Sequence, residues 1–144
     1  MLVPFKKLRD GAVVPSRGSE YAAGYDLYAC LESPVEIEPG TNKKIGTGLS
    51  IAVPEGYFGA VFARSGLATK EGLRPANCVG ICDSDYRGEY IVPVYNDSSE
   101  IRTVKSGDRI AQLVILPFLP ADFSEVEELD DTERGTAGFG STGK

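Results

Sequence analysis

Apolar residues in this chain recur at every second position, and the runs that show this are short. Leu49, Ile51 and Val53 share one face of "GLSIAV", and Pro54 then stops the run. Phe58, Ala60 and Phe62 do the same in "YFGAVFA", and Tyr90, Val92 and Val94 in "EYIVPVY". A period of two sends alternate side chains to opposite faces of a strand, whereas a helix needs a period near 3.6. Turn-forming clusters divide the runs: "EPG" at 38–40, "PEG" at 54–56, "SDYRG" at 84–88, "NDSS" at 96–99 and "KSGD" at 105–108. Short alternating strands punctuated this often predict an all-β sandwich or barrel. One stretch departs from the pattern. "SGLATKEG" at 65–72 reads as a short helix, with Ser65 as its N-cap and Gly72 as its stop.

A further run, "RIAQLVIL", puts Ile110, Val114 and Leu116 on one face with Gln112 among them. A glutamine on a buried face needs a hydrogen-bond partner or a function. After "ILPFLP" the chain turns acidic in "EVEELDDTE", then rich in Gly, Ser and Thr in "RGTAGFGSTGK". That ending matches two phosphate-loop patterns, G-x-G-x-x-G and G-x-x-x-x-G-K. Neither has its context, because acids rather than a strand precede it and no helix follows.

The chemistry is narrowed most by an absence: the chain contains no histidine. Serine–histidine triads, imidazole bases and the histidine-containing zinc signatures are excluded, so acid–base work falls to a carboxylate. The three cysteines, Cys30, Cys78 and Cys82, are odd in number and irregularly spaced. They read as reduced thiols rather than a disulfide framework, and they fall short of the four ligands of a structural zinc site. A net charge of −6 argues against a nucleic-acid coat, while leaving room for local cations to meet an anionic substrate. No apolar run approaches membrane-spanning length, and "MLVPFKKLRD" lacks the apolar stretch of a secretory signal. A cytoplasmic protein without membrane partners is expected.

Four stretches besides the tail carry candidate chemistry. "AAGYDLYA" places Asp26 after a glycine in a polar-aromatic turn, and "ARSGLA" puts Arg64, Ser65 and Gly66 where a strand becomes a helix. Backbone N–H groups at a helix start, beside a guanidinium, suit a phosphate. "NCVGICDSDYRGEY" reads as a hairpin with Asp83 and Asp85 in its turn, and "GDRIAQLVI" supplies Gln112.

Taken in order, "AGYDL", "RSGLA", "GICDSDYRG", "GDRIAQL" and "RGTAGFGSTG" resemble the five motifs of the trimeric dUTP pyrophosphatase (dUTPase) family, from about residue 20 to the end. The departures are Ala63, where proline is common, and Cys82, where isoleucine or valine is usual. The resemblance implies a jelly-roll-like β-clip of residues 1–120 and a mobile C-terminal arm of residues 121–144. It further implies a homotrimer whose arms close over sites on neighbouring subunits, which explains a phosphate loop with nothing behind it. The substrate would be dUTP and the cofactor Mg²⁺, held through water by Asp26. Asp83 would hold the attacking water, take its proton and meet the sugar 3′-hydroxyl. Arg64, Ser65, Gly66 and Gln112 would bind the phosphate chain. Asn77 and the backbone of Gly80, Ile81 and Cys82 would read the uracil edge, with Ile91 completing the pocket from across the hairpin. Tyr86 would pack on the deoxyribose and exclude a ribose hydroxyl, while Phe139 would stack on uracil. Arg134, Gly140, Ser141 and Thr142 would grip the terminal phosphates. Two other readings share the fold: a dCTP deaminase, which needs a carboxylate aimed at cytosine, and a non-catalytic trimeric binding protein, which would have broken motifs.

Overall fold

The computed structural model describes residues 1–138. Among them are twelve strands and one helix. In chain order the strands are β1 (Phe5–Lys7), β2 (Ser16–Arg17), β3 (Tyr25–Tyr28), β4 (Val35–Ile37), β5 (Asn42–Gly46) and β6 (Leu49–Ile51). They continue with β7 (Tyr57–Phe62), β8 (Leu73–Pro75), β9 (Val79–Cys82), β10 (Ile91–Asn96), β11 (Arg102–Val104) and β12 (Arg109–Pro117). Helix α1 (Ser65–Glu71) follows β7. The expected all-β class is therefore the class found.

All pairings are antiparallel. A five-stranded sheet runs β2-β3-β12-β7-β9, a three-stranded sheet runs β5-β10-β8, and β1-β6 and β11-β4 form two ribbons. Side chains from every sheet meet in one core, where Leu27, Ile37, Ile45, Leu49, Val94 and Ile110 are 1% exposed or less. Each such side chain contributes about 1.5–3 kcal/mol by leaving water. Leu49, Ile51 and Val53 are buried as their alternation predicts, and so are Tyr90, Val92 and Val94.

Two faces differ from expectation. In β12 the pairing with β3 shifts register between Arg109 and Ala111, a β-bulge that leaves Ile110 as the extra residue. Ile110 and Ala111 are consequently both buried, and the core face continues through Leu113 and Ile115. Gln112, Val114 and Leu116 lie on the opposite, half-buried face, so Gln112 is not a polar intruder in the core. Across the ladder Gln112 pairs Phe62, Val114 pairs Ala60 and Leu116 pairs Phe58. Phe58, Ala60 and Phe62 therefore share that outer face, and Val61 is the β7 residue in the core. Alternation gives the period but not the phase, and one extra residue inverts the phase.

The stretch 77–90 is likewise not a hairpin. Strand β9 pairs β7, while β10 pairs β5 and β8, so the chain crosses from one sheet to another. The crossing is fixed where the Tyr90 N–H donates to Leu49 O at 2.8 Å and its carbonyl accepts from Thr47 N at 3.1 Å. Ile81 and Ile91 consequently belong to different sheets.

The helix stop is as expected: Gly72 adopts the left-handed conformation at φ 69° and its N–H bonds the last turn. The start is not. Arg64 is the N-cap and makes no side-chain cap bond, and Ser65 is the first helical residue. The Arg64 side chain is drawn instead to Asp26. Beyond β12, residues 118–138 carry no helix or strand, and Leu119, Phe123 and Leu129 are exposed. Among the described residues no helix is long and apolar enough to cross a membrane.

One buried polar side chain ties three segments together. Asn96 is 0% exposed; its Nδ2 donates to Ile37 O at 2.8 Å and Glu100 O at 2.7 Å. Its Oδ1 accepts from Ser98 N at 2.9 Å and Ser98 Oγ at 2.7 Å. Replacing it with alanine strands buried carbonyls, so Asn96→Ala is expected to destabilise the fold by about 2–4 kcal/mol. Chemical denaturation of parent and variant measures this directly, and a change under about 0.5 kcal/mol, the ordinary range of surface substitutions, would contradict it.

Candidate active site

Where β9 and β10 part to join different sheets, they leave a cavity of about 240 Å³. It lies just below the ~300–1,000 Å³ of pockets for drug-sized ligands, a fit for one planar ring and its immediate attachment. The β9 alternation turns Gly80 and Cys82 inward and leaves Ile81 exposed, so Ile81 offers the cavity its backbone more than its side chain. Asn77, from the turn before β9, has its side-chain nitrogen over Gly80, where a β-carbon would approach it to 3.4 Å. Asp83 and Tyr86 stand at the two ends of one turn, closed by Tyr86 N donating to Asp83 O at 3.2 Å. Ile91 enters from β10. Of the eight residues expected to handle base, sugar and water, all but Phe139, which lies outside the described residues, line one cavity.

Six further residues line the cavity, Glu89 and Tyr90 among them; alternation alone marks Tyr90 only as a core residue of its strand. Tyr86 Oη donates to Glu89 O at 2.9 Å, and the rings of Tyr86 and Tyr90 lie tilted with centroids 6.2 Å apart. Burial pushes the Cys82 thiol up from its ordinary value, so it stays protonated and serves as an apolar wall. Burial raises the Tyr90 phenol in the same way. The Tyr90 tip fills space left by Gly59, where a β-carbon would stand 3.0 Å from the hydroxyl. The Tyr90 hydroxyl has no aligned hydrogen bond to the Cys82 sulfur.

A second cluster gathers on β3, β7 and β12. Arg64 Nε donates to Asp26 Oδ1 at 2.7 Å and Arg109 Nη1 to Asp26 Oδ2 at 3.2 Å. Gln112 pairs with Asp26 across the ladder and donates Nε2 to Ala63 O at 2.8 Å, holding the strand end from which Arg64 projects. Ser65 and Gly66 are exposed at the start of α1. Two guanidinium groups around one carboxylate leave a net positive charge, the condition for drawing an anion. Arg109 was not foreseen. The bulge places it on the same face as Gln112 and Asp26, which regular alternation from Gln112 would forbid. None of Asp26, Arg64, Ser65, Gly66 and Gln112 lines the cavity described above.

Among the described residues no group of three His, Cys, Asp or Glu converges as a metal cage. Magnesium does not require one, since it retains several waters and binds through one or two carboxylates plus substrate phosphates. Asp26 fits that mode, and with both oxygens already engaged it would meet the ion through water. Arg134 is exposed, its Nε donating to Ala137 O at 2.8 Å, and it joins neither cluster. Phe139, Gly140, Ser141 and Thr142 lie outside the described residues.

The fold and these two clusters define an all-β protein with a cavity of about 240 Å³ and a separate cluster of net positive charge. The dUTPase family model matches residues 10–143, and the chain belongs to that family. It is 54% identical over 131 residues to the deoxyuridine 5′-triphosphate nucleotidohydrolase of Desulfitobacterium hafniense, covering 90% of this chain and 87% of that one. With the enzyme of the same name from Nautilia profundicola it shares 48% identity over 144 residues, the full length of both. Among solved structures, the Staphylococcus bacteriophage 80alpha dUTPase with dUPNHPP superposes with a TM-score of 0.86 at 30% identity, covering 99% of each chain. A mutant dUTPase of S. aureus phage phi11, described with a structural Mg(II) ion, has a TM-score of 0.78 at 27% identity, covering 89% of this chain and 98% of that one.

The Tyr90 hydroxyl is the only buried side-chain polar atom without a partner among the described residues. A buried, unbonded hydroxyl destabilises the fold, so Tyr90→Phe is expected to raise stability by about 1 kcal/mol. A lower denaturation midpoint in the variant would show that the hydroxyl has a partner in solution.

Proposed function

We propose that the chain hydrolyses dUTP to dUMP and pyrophosphate by attack of water on the α-phosphorus. The observation that carries this reading is the single cavity around which Asn77, Gly80, Ile81, Cys82, Asp83, Tyr86 and Ile91 converge. Uracil would sit against β9, where backbone donors and acceptors match its edge; cytosine reverses that pattern and would leave buried groups unpaired. Tyr86 would pack on the deoxyribose and leave no room for a 2′-hydroxyl. Asp83, exposed at the cavity mouth, would align a water with the α-phosphorus and accept its proton as the new P–O bond forms. The bond to the bridging oxygen breaks and pyrophosphate leaves, with Arg64, Ser65 and Gly66 along the phosphate chain and Gln112 on the α-phosphate side. A carboxylate is a weak base, so alignment supplies much of the acceleration. Magnesium, when bound, would offset triphosphate charge, and Asp26 would orient its waters. The product would supply dUMP for thymidine nucleotide synthesis and keep uracil out of DNA, in the cytoplasm.

The separation of the two clusters within one chain supports a homotrimer in which each site is shared. An arm of residues 121–144 would bring Arg134, Phe139, Gly140, Ser141 and Thr142 to a site on neighbouring subunits. The exposed Phe123 and Leu129 favour this, because apolar side chains at 100% and 85% exposure are unburied surface awaiting a partner.

Purified protein incubated with dUTP or dCTP, with and without Mg²⁺, tests the activity: dUMP and pyrophosphate should form from dUTP only with the metal. Asp83→Asn should lose about 10²–10⁴ in turnover while its affinity for dUpNHpp stays within a few-fold. Turnover within about tenfold of the parent would remove Asp83 from the mechanism.

Shared sites are tested with two dead chains, Asp83→Asn with an intact arm and a chain stopped after Glu133. Unfolded together in equal amounts and refolded, they should regain about a quarter of parental activity, the fraction of sites that draw both good parts from different chains. If mass spectrometry finds mixed trimers and the mixture stays dead, the arm does not act on a neighbour.

A further inference from the structure

The proposed sugar-facing ring, Tyr86, is 43% exposed and sits on a turn, yet its position is closely defined. It lies against Gly88, where a β-carbon would overlap the phenol end of the ring. Its hydroxyl donates to Glu89 O at 2.9 Å. The ring is thus registered against the Gly88–Glu89 backbone, and whatever holds that backbone holds the ring.

The Glu89 side chain does so by turning away from the turn toward the N-terminal part of the chain. Its Oε1 accepts from Gly48 N at 2.8 Å, extending with a carboxylate the ladder that Leu49 begins with Tyr90. Arg9 closes over it as a two-pronged clamp, Nη1 donating to Glu89 Oε2 at 3.2 Å and Nη2 bonding Oε1. Arg9 Nη2 also donates to Cys30 O at 3.4 Å, so the clamp is braced on a third segment. The Arg9 guanidinium is held even more firmly protonated than usual, chiefly by its bond to Glu89. The Glu89 side chain is 17% exposed and Arg9 43%, so the carboxylate is largely withdrawn from water while its partner stays at the surface. A carboxylate lining a cavity meant for a polyanion is unfavourable unless neutralised, and Arg9 neutralises it.

We propose that Glu89, clamped by Arg9 and Gly48, is a positioning residue that sets the height of the Tyr86 ring and hence the choice between deoxyribose and ribose. This rests on the reading of Tyr86 as the sugar-facing ring. The connection runs from Arg9 through the Glu89 carboxylate and carbonyl to the Tyr86 hydroxyl, so residues 9 and 86 act as one unit though far apart in sequence. Without the clamp the Glu89 carbonyl can rotate, the hydroxyl loses its acceptor, and the ring has room to yield to a 2′-hydroxyl.

The test measures kcat/KM for dUTP and UTP, with thermal midpoints, in Arg9→Met, Glu89→Gln, Tyr86→Phe, Tyr86→Ala and the double variant Arg9→Met/Tyr86→Phe. Arg9→Met and Glu89→Gln should each reduce the dUTP/UTP ratio by about two- to tenfold, the worth of one net hydrogen bond. The change should appear mainly as a lower KM for UTP, and Arg9→Lys should retain part of the parental ratio. Tyr86→Phe cuts the same connection at its far end, so the double variant should be no worse than the poorer single one. Additive losses in the double variant, or an unchanged ratio in both Arg9→Met and Glu89→Gln, would overturn the connection. Tyr86→Ala separates the two failures. If it narrows the ratio while the Arg9 and Glu89 variants do not, only the positioning role falls. If Tyr86→Ala leaves the ratio unchanged, the sugar-facing reading falls and the positioning role with it.

Discussion

The register of β12 is the constraint on which the rest of the structure depends. The strand runs between β3 and β7 in the five-stranded sheet, and it is the longest in the chain at nine residues. Its bulge between Arg109 and Ala111 buries two successive residues and then restores alternation, which seats Ala111 and Leu113 on Leu27 and Val61 in the core. The same phase places Gln112 between Asp26 and Phe62 on the outer face. Gln112 then bonds the Ala63 carbonyl, immediately before Arg64, and Arg109 and Arg64 close on Asp26 from two sides. Slipping β12 by one residue would bury Gln112 and scatter all four groups. Core packing and the anion cluster are therefore one requirement on a single strand, seen from its two faces.

That coupling explains how much could be read from sequence alone. The fold class was legible, because alternation and turn residues are local properties: "KSGD" at 105–108 and "PEG" at 54–56 separate strands as expected. The phases of β7 and β12 were not, because no glycine or proline marks the bulge and its one trace is the adjacent apolar pair Ile110 and Ala111. The destination of 77–90 was also hidden. Two short strands flanking a polar turn look like a hairpin, and only the distant partners Gly46 to Asn42 and Pro75 to Leu73 draw β10 into another sheet. The residues of both strands still line one cavity, because each strand meets it whether the two pair or merely diverge. Arg109 and Glu89 were missed because each matters through a contact about eighty residues away, with Asp26 and with Arg9.

Electrostatics reconcile a chain of net charge −6 with a triphosphate substrate. A polyanion does not sense the total charge beyond a Debye length of about 8–10 Å, only the groups near it. In the anion cluster the local balance is two guanidinium groups against one carboxylate. At the cavity Glu89 would oppose the substrate, but Arg9 cancels it at the rim. The surplus acids sit elsewhere, conspicuously in "EVEELDDTE", and under the proposed reading that segment crosses a neighbour's surface without entering its site. Under the proposed reading, this distribution would leave two small regions receptive to a nucleotide in a chain of negative net charge.

Under the proposed reading, one chain carries two incomplete parts of a site. The cavity gathers Tyr86, Asp83 and the residues proposed to read the base, but none of those proposed to bind phosphate lines it. The anion cluster has cations and a helix start, but no wall for a base. Each half is braced by its own main-chain bonds: the cavity by those between Tyr90 and the Thr47–Leu49 segment, the cationic cluster by the β3-β12-β7 ladder. A site assembled from two such halves on different subunits would need no large motion within either subunit, leaving closure to a segment without secondary structure. The stretch after β12 has that character, with no strand or helix through residue 138 and apolar side chains left in solvent. Ordering such a segment costs on the order of 1–2 kcal/mol per residue of backbone entropy, so it would close only when contacts with a neighbour and a bound nucleotide together exceed that cost. The substrate would thereby contribute to building the site that consumes it, and a product with fewer phosphates to grip would release it.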